Sequence, residues 1–108
     1  MKATISNLFY LKRAKANSKG LVPIFHRVTV NGKRIEKSTG KFIDPAKWSV
    51  EGAKMKGTSE EARLINSHLD DLKNEVAEAE KHFYNKGESV DYENMKNLIL
   101  ISENHFKN

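Results

Sequence analysis

Arg27 and Thr29 stand two residues apart, and Arg34 follows just beyond an Asn31-Gly32 pair with Lys33 beside it. In an extended chain successive side chains point to opposite sides, so Arg27 and Thr29 share one side. A return strand through Arg34 brings a second guanidinium to that side. Upstream, Lys12, Arg13, Lys15 and Lys19 crowd four cations into a short polar stretch. The chemistry these residues can do is donation to an anionic or acceptor-rich surface. Guanidinium forks suit paired acceptors such as guanine O6 and N7, and ammonium groups suit phosphate oxygens. Phe25 and Tyr10 fall on the same side and can touch thymine methyls or stack. The plainer alternative is a solvated sheet face with ordinary alternating charges.

Other chemistries lack their residues. The chain has no cysteine, which excludes a disulfide scaffold, a thiolate metal site and a cysteine nucleophile. His26, His68, His82 and His105 show no i, i+4 pair and no carboxylate partners at metal-ligand spacing. His26 reads as a core or edge residue, and His68 and His82 as solvated positions on a charged helix. The six glycines are scattered at turns, so no phosphate-cradling loop exists. No nucleophile signature is present, and no catalytic residue, metal or cofactor is expected.

The elements that must position the cations follow from patterning. Ile5 to Leu11 is rich in strand formers. Lys12 to Gly20 reads as a loop. Val22 to Val30 is a second strand, with Pro23 tolerated near its start. Asn31-Gly32 predicts a type I′ turn, because both central residues need positive φ. Lys33 to Thr39 returns, Gly40 marks a bulge, Lys41 to Ile43 closes the strand, and Asp44-Pro45 begins a turn. Alternation puts Ile5, Phe9, Leu11, Ile24, His26, Val28, Val30 and Ile35 on one face. Ser6, Leu8, Tyr10, Phe25, Arg27, Thr29, Arg34, Glu36 and Ser38 take the other.

A three-stranded sheet with one apolar face needs a cover. Thr58 with Glu61 forms a capping box, and Ile65, Leu69, Leu72, Val76, Ala79 and Phe83 recur at steps of three and four. A helix over about 58–86 is about 40 Å long at 1.5 Å per residue. That exceeds such a sheet, so part of it should project. A shorter helix spans about 91–101, with Asp91 as N-cap and Met95, Leu98 and Ile99 on its buried side. Ser102 to Asn108 reads as a frayed or truncated tail. The fold class is α+β: a three-stranded antiparallel sheet, a long helix packing behind it and a short C-terminal helix. Residues 1–57 form the basic sheet part and 58–108 the helical part.

Bulk composition agrees with one small domain. Of 108 residues, Leu, Ile, Val and Phe make up 24%, above the roughly 20% below which charged chains stay disordered. Residues 1–57 hold 13 basic and 3 acidic side chains, net +10, whereas 58–108 hold 6 and 11, net −5. The first half therefore suits a polyanion, and the second does not. No apolar run reaches the roughly 18 residues of a membrane span, and the N-terminus lacks a signal-peptide h-region. A chain without staples reads as cytosolic, with no membrane partner and no small-molecule substrate.

Several motifs in order carry a family resemblance. They are Leu8-Phe9-Tyr10-Leu11-Lys12, Asn17 to Gly20, Pro23 to Arg34, Ser38-Thr39-Gly40, Asp44-Pro45-Ala46-Lys47-Trp48, and Gly57 to Ala62 with Ile65-Asn66. Together they resemble the N-terminal arm-binding domain of tyrosine recombinases, most of all integrases of conjugative transposons and related mobile elements. His26 departs from the pattern, which has an aliphatic residue there, and Lys37 is more polar than the pattern. The resemblance implies a sheet laid in the major groove of arm-type sites on double-stranded DNA. It implies a non-catalytic domain whose linked core-binding and catalytic domains lie beyond this chain, which then reads as a fragment. It implies bacterial cytoplasm, at the nucleoid.

By position, the resemblance gives base contact to Arg27, Thr29 and Arg34. Backbone contact goes to Tyr10, Lys12, Arg13, Lys15 and Lys33. Trp48 packs the sheet-to-helix connection. Glu36 either accepts from cytosine N4 or holds Arg27 or Arg34 by a cross-strand ion pair. The competing readings are a protein-interaction module built on the long helix and a double-stranded RNA binder that recognises shape and 2′-hydroxyls.

Overall fold

The computed structural model describes residues 4–87 and 90–105, the last six by backbone alone. Three strands, β1 (Ile5–Leu11), β2 (Val22–Val30) and β3 (Lys33–Ile43), form an antiparallel sheet in the order β1-β2-β3. Asn31 (φ 51°) and Gly32 (φ 86°) both take the positive φ that a tight turn with the right strand twist requires. The register pairs Leu8, Tyr10 and Ser6 with Arg27, Phe25 and Thr29, and pairs Arg27 and Thr29 with Glu36 and Arg34. The alternation expected from sequence therefore holds across all three strands.

The bulge at Gly40 is larger than a single extra residue. Phe25 pairs with Ser38 and Pro23 with Phe42, so Thr39, Gly40 and Lys41 all face Ile24. Gly40 sits at φ 81°, where a side chain would be strained. Thr39 stitches the gap by donating from Oγ1 to the Ile24 carbonyl at 2.8 Å. Its own carbonyl, released from the ladder, lies 3.1 Å from His68 Nε2, which donates to it. His68 is thus a half-buried link from the first long helix to the sheet, and the solvated role expected of it is corrected.

After β3, a one-turn 3-10 helix (Pro45–Lys47) is capped by Asp44, whose side chain accepts from the Ala46 N–H. A two-stranded ribbon follows, β4 (Trp48–Ser49) with β5 (Lys54–Met55). Sequence patterning gave no sign of it. Asn66 holds its free edge: Met55 N–H donates to Asn66 Oδ1 at 2.9 Å, and Asn66 Nδ2 donates to the Met55 carbonyl at 3.0 Å.

Helix α1 (Glu60–Asn85) begins one residue later than expected. Its N-cap is Ser59, whose hydroxyl accepts from Ala62 N–H at 3.1 Å, so the Thr58–Glu61 capping box does not form. Helix α2 (Tyr92–His105) runs four residues past its expected end, which removes the frayed tail up to His105; residues 106–108 lie outside the described part. Asp91 caps it as expected, accepting from Asn94 N–H at 2.9 Å.

The core lies between the sheet and the helices in two clusters. Phe9, Ile24, Ile43, Trp48 and Met55 pack with Ala62, Ile65, Leu69 and Leu72 of α1. Val28, Val30 and Ile35 pack with Val76, Ala79 and Phe83 of α1 and with Met95 and Ile99 of α2. Buried positions run from Ala62 to Phe83. Helix α1 therefore does not project as its length suggested. The second cluster and α2 take up its far half. Trp48, 5% exposed, ties the connection to the core as expected.

Candidate nucleic-acid interface

The uncovered face of the sheet holds most of the residues singled out from sequence. At its centre Arg27 donates from Nε to Glu36 Oε2 at 2.8 Å, and its Nη2 lies 2.7 Å from the same oxygen. Tyr10 donates its hydroxyl to that oxygen at 2.7 Å, and its ring lies 4.8 Å from the guanidinium carbon. The register sets these side chains abreast, since Arg27 faces Glu36 on β3 and neighbours Tyr10 diagonally on β1. The electrostatics match. The Tyr10 hydroxyl and the Arg27 guanidinium hold the Glu36 carboxyl below its ordinary range. Partial burial and Glu36 push the Tyr10 hydroxyl up. The ion pair foreseen for Glu36 is thus with Arg27, not Arg34.

A second group of cations is organised by Phe25. Lys12 Nζ lies 4.5 Å and Lys15 Nζ 5.5 Å from its ring centroid. Such contacts hold a cation by the ring's negative face. They anchor the loop after β1, where a short 3-10 helix spans Arg13–Lys15, against the sheet. Asn17 shapes the rest of that loop, its Oδ1 accepting from Lys19 N–H and Leu21 N–H at 3.0 Å each. Phe25 is 9% exposed and Tyr10 is half-buried beneath Arg27. The aromatic rings therefore seat cations, and the open stacking faces expected of them are not available.

The remaining positions divide. Thr29 is half-buried, Arg34 is exposed opposite it, and Arg13 is exposed on the loop. Lys33 lies on the other side of the sheet, in step with Ile35, with Nζ 5.6 Å from the Tyr92 ring of α2. Alternation dictates this, and Lys33 is not brought together with Arg27 and Arg34. Lys37, also in step with Ile35, donates to the Ile99 carbonyl at 3.4 Å. Two apolar side chains also belong to the outer face: alternation places Leu8 there, and Phe42 is not assigned to a face from sequence. Leu8, 44% exposed, pairs with Arg27, and Phe42, 42% exposed, lies next to buried Ile43. Alternation with buried Ile43 was a usable signal for Phe42.

The opposite face carries the one polar side chain buried without full satisfaction among the described residues. His26 is 1% exposed, stacks on Phe9 at 4.4 Å and donates from Nε2 to Asn7 Oδ1 at 2.8 Å. Its Nδ1 has no partner. Burial, with Lys37 and Lys73 nearby, lowers its pKa to about 4, so it is neutral near pH 7. The core role expected of His26 is what the fold gives it.

The sheet thus has one helix-covered face and one open face on which Arg27, Lys12 and Lys15 are seated over aromatic rings, and cations clustered on one face are the electrostatic footprint of nucleic-acid binding. The sequence profile of the arm DNA-binding domain family matches residues 9–96. The chain belongs to this family, the N-terminal arm-type, non-catalytic DNA-binding domain of tyrosine recombinases and integrases. No curated protein and no solved structure matches the chain significantly. Among the described residues, no helix is long and apolar enough to cross a membrane.

Proposed function

We propose that this chain is the arm-site reader of an integrase from a bacterial mobile element, laying its open sheet face in the major groove of double-stranded DNA. The observation that carries the reading is the arrangement around β2. Arg27, Thr29 and Arg34 share the open face, while Lys12 and Lys15 flank it on a loop anchored at Phe25. A two-stranded β-ribbon such as β2 with β3 fits a groove about 12 Å wide. In that pose Arg27, Thr29 and Arg34 meet base edges, and Lys12, Arg13 and Lys15 meet phosphates. Tyr10 serves by holding Arg27, and Lys33 reaches a phosphate only from the hairpin tip. Linked core-binding and catalytic domains carry out strand exchange, in the cytoplasm at the nucleoid.

The test is a fluorescence-anisotropy titration at two salt concentrations. It compares a duplex from the host element's ends, a scrambled duplex and a matched RNA duplex. Preference for the element's ends is the expected result. Equal, salt-sensitive binding to both DNAs reduces the domain to an electrostatic module, and preference for RNA overturns the DNA reading.

A further inference from the structure

We infer that Arg27 and Glu36 act as one unit that reads a single G·C base pair. Arg27 donates to the guanine, and Glu36 accepts from the amino group of the paired cytosine. The inference rests on the proposed major-groove function and names what the face reads there.

Arg27 commits Nε and Nη2 to Glu36 Oε2, and these two nitrogens form one edge of the planar guanidinium. The adjoining edge, Nη1 with the second Nη2 proton, is a fork of two parallel donors. Its direction is set by the first edge and by the Tyr10 ring 4.8 Å away. Three donors converge on Glu36 Oε2, from Arg27 Nε, Arg27 Nη2 and the Tyr10 hydroxyl. Oε1, the second oxygen, is engaged by none of them. The unit therefore presents two donors beside one acceptor.

In the major groove a G·C pair shows N7 and O6 as acceptors and then the cytosine N4 amino group as donor. Two donors beside one acceptor complement that edge and no A·T edge, where acceptors and donor alternate. The order also fixes which strand carries the guanine. Arg27 and Glu36 side chains are 26% and 32% exposed, so the pair belongs to the surface and adds little to folding stability. Its effect is to freeze the fork before DNA arrives, which removes an ordering cost from binding. Arg34, by contrast, is exposed and makes no ion pair among the described residues.

The test takes the 108-residue chain and a site selected from a randomised duplex pool. One position should be held to G·C. There, 7-deazaguanine, which lacks N7 but keeps O6, should weaken wild-type binding by less than the roughly 5- to 150-fold of a whole bidentate base contact. N4-methylcytosine, which blocks the groove-side amino proton, should weaken it by a smaller factor. Arg27→Ala should abolish the first penalty. Glu36→Ala should abolish the second and shrink the first. Tyr10→Phe, which keeps the ring and loses the hydroxyl, should relax discrimination at that position and at no other. Melting curves that match wild type show that the variants are folded. Overturning results are an N4-methylcytosine penalty that survives Glu36→Ala, or a Glu36→Ala variant that tightens on every duplex alike, which would make Glu36 a charge shield. A site with clear sequence preference but no G·C position sensitive to Arg27 also overturns this unit while leaving the arm-site reading standing. A pool that yields no preference removes the arm-site reading itself.

Discussion

His26 and Arg27 are neighbours in sequence and opposites in environment. His26 points to the helix-covered side of the sheet, stacked on Phe9, with Nε2 bonded to Asn7 and Nδ1 without a hydrogen-bond partner among the described residues. Arg27 points outward into a network with Glu36 and Tyr10 that solvent still reaches. One residue of register separates a side chain whose charge is suppressed by burial from one whose charge is kept and aimed. The inner face of the sheet spends its side chains on packing against α1 and α2. The outer face spends its aromatics, Tyr10 and Phe25, on seating Arg27, Lys12 and Lys15. The two faces of one strand should therefore respond to mutation in separable ways, the inner through stability and the outer through binding.

The strongest way to break that separation is Ile35→Ala. Ile35 is 5% exposed in the second cluster, so truncation should cost about 2–5 kcal/mol in urea unfolding. DNA affinity of the fraction still folded should be unchanged. An unaltered midpoint would mean that Ile35 is not a core residue.

His26 gives the next effect, through pH. Its ordinary value near 6.5 applies to the unfolded chain, while the folded state holds it to about 4. The unfolded chain therefore binds the proton first. The stability tied to neutral His26 is fully present above about pH 6.5 and drains away as pH falls toward about 4. The slope is at most about 1.4 kcal/mol per pH unit for one group. Unfolding free energies of wild type and His26→Leu, measured from pH 7 to pH 4.5, should diverge in that sense. Parallel curves would show that the imidazole is protonated equally in both states.

Much of this contrast was legible in sequence because period-two alternation is a strong signal once Asn31-Gly32 fixes the turn. Arg27 and His26 fall on opposite sides whatever the loops do. The apolar stripe from Ile65 to Phe83 fixed the face of α1 just as firmly. What escaped depended on backbone detail or distant partners. Thr58 and Ser59 are both competent caps, and only the local dihedrals choose Ser59. The β4–β5 ribbon has two residues per strand, too few for any periodicity, and closes on Asn66 eleven residues after Met55. His68 looked solvated because its acceptor, the Thr39 carbonyl, is freed only by the wide bulge at Gly40. Lys33 was grouped with Arg34 by adjacency, although alternation alone sends it to the other side.

On the outer face, Arg27→Ala should cost about 1–3 kcal/mol on the specific site and much less on random DNA. Its melting temperature should stay close to wild type, because the ion pair it breaks is exposed. Equal losses on both DNAs would demote Arg27 to a phosphate contact and erase the distinction between the centre of the face and its flank.

Lys15→Ala probes that flank and should have the smallest effect. Lys15 is exposed, 5.5 Å from Phe25, and Lys12 lies closer to the same ring at 4.5 Å. The loop thus keeps one anchor when Lys15 is lost, and folding should not change. A phosphate contact carries no sequence information, so affinity should fall by a similar factor on every duplex. Each neutralised phosphate releases counterions, so the slope of log affinity against log salt should flatten by about one unit. Titrations of both duplexes at three salt concentrations measure both quantities. A loss confined to the specific site would place Lys15 at a base edge. An unchanged slope would leave Lys15 outside the contact set, with the work of anchoring the loop to Phe25 as its whole role.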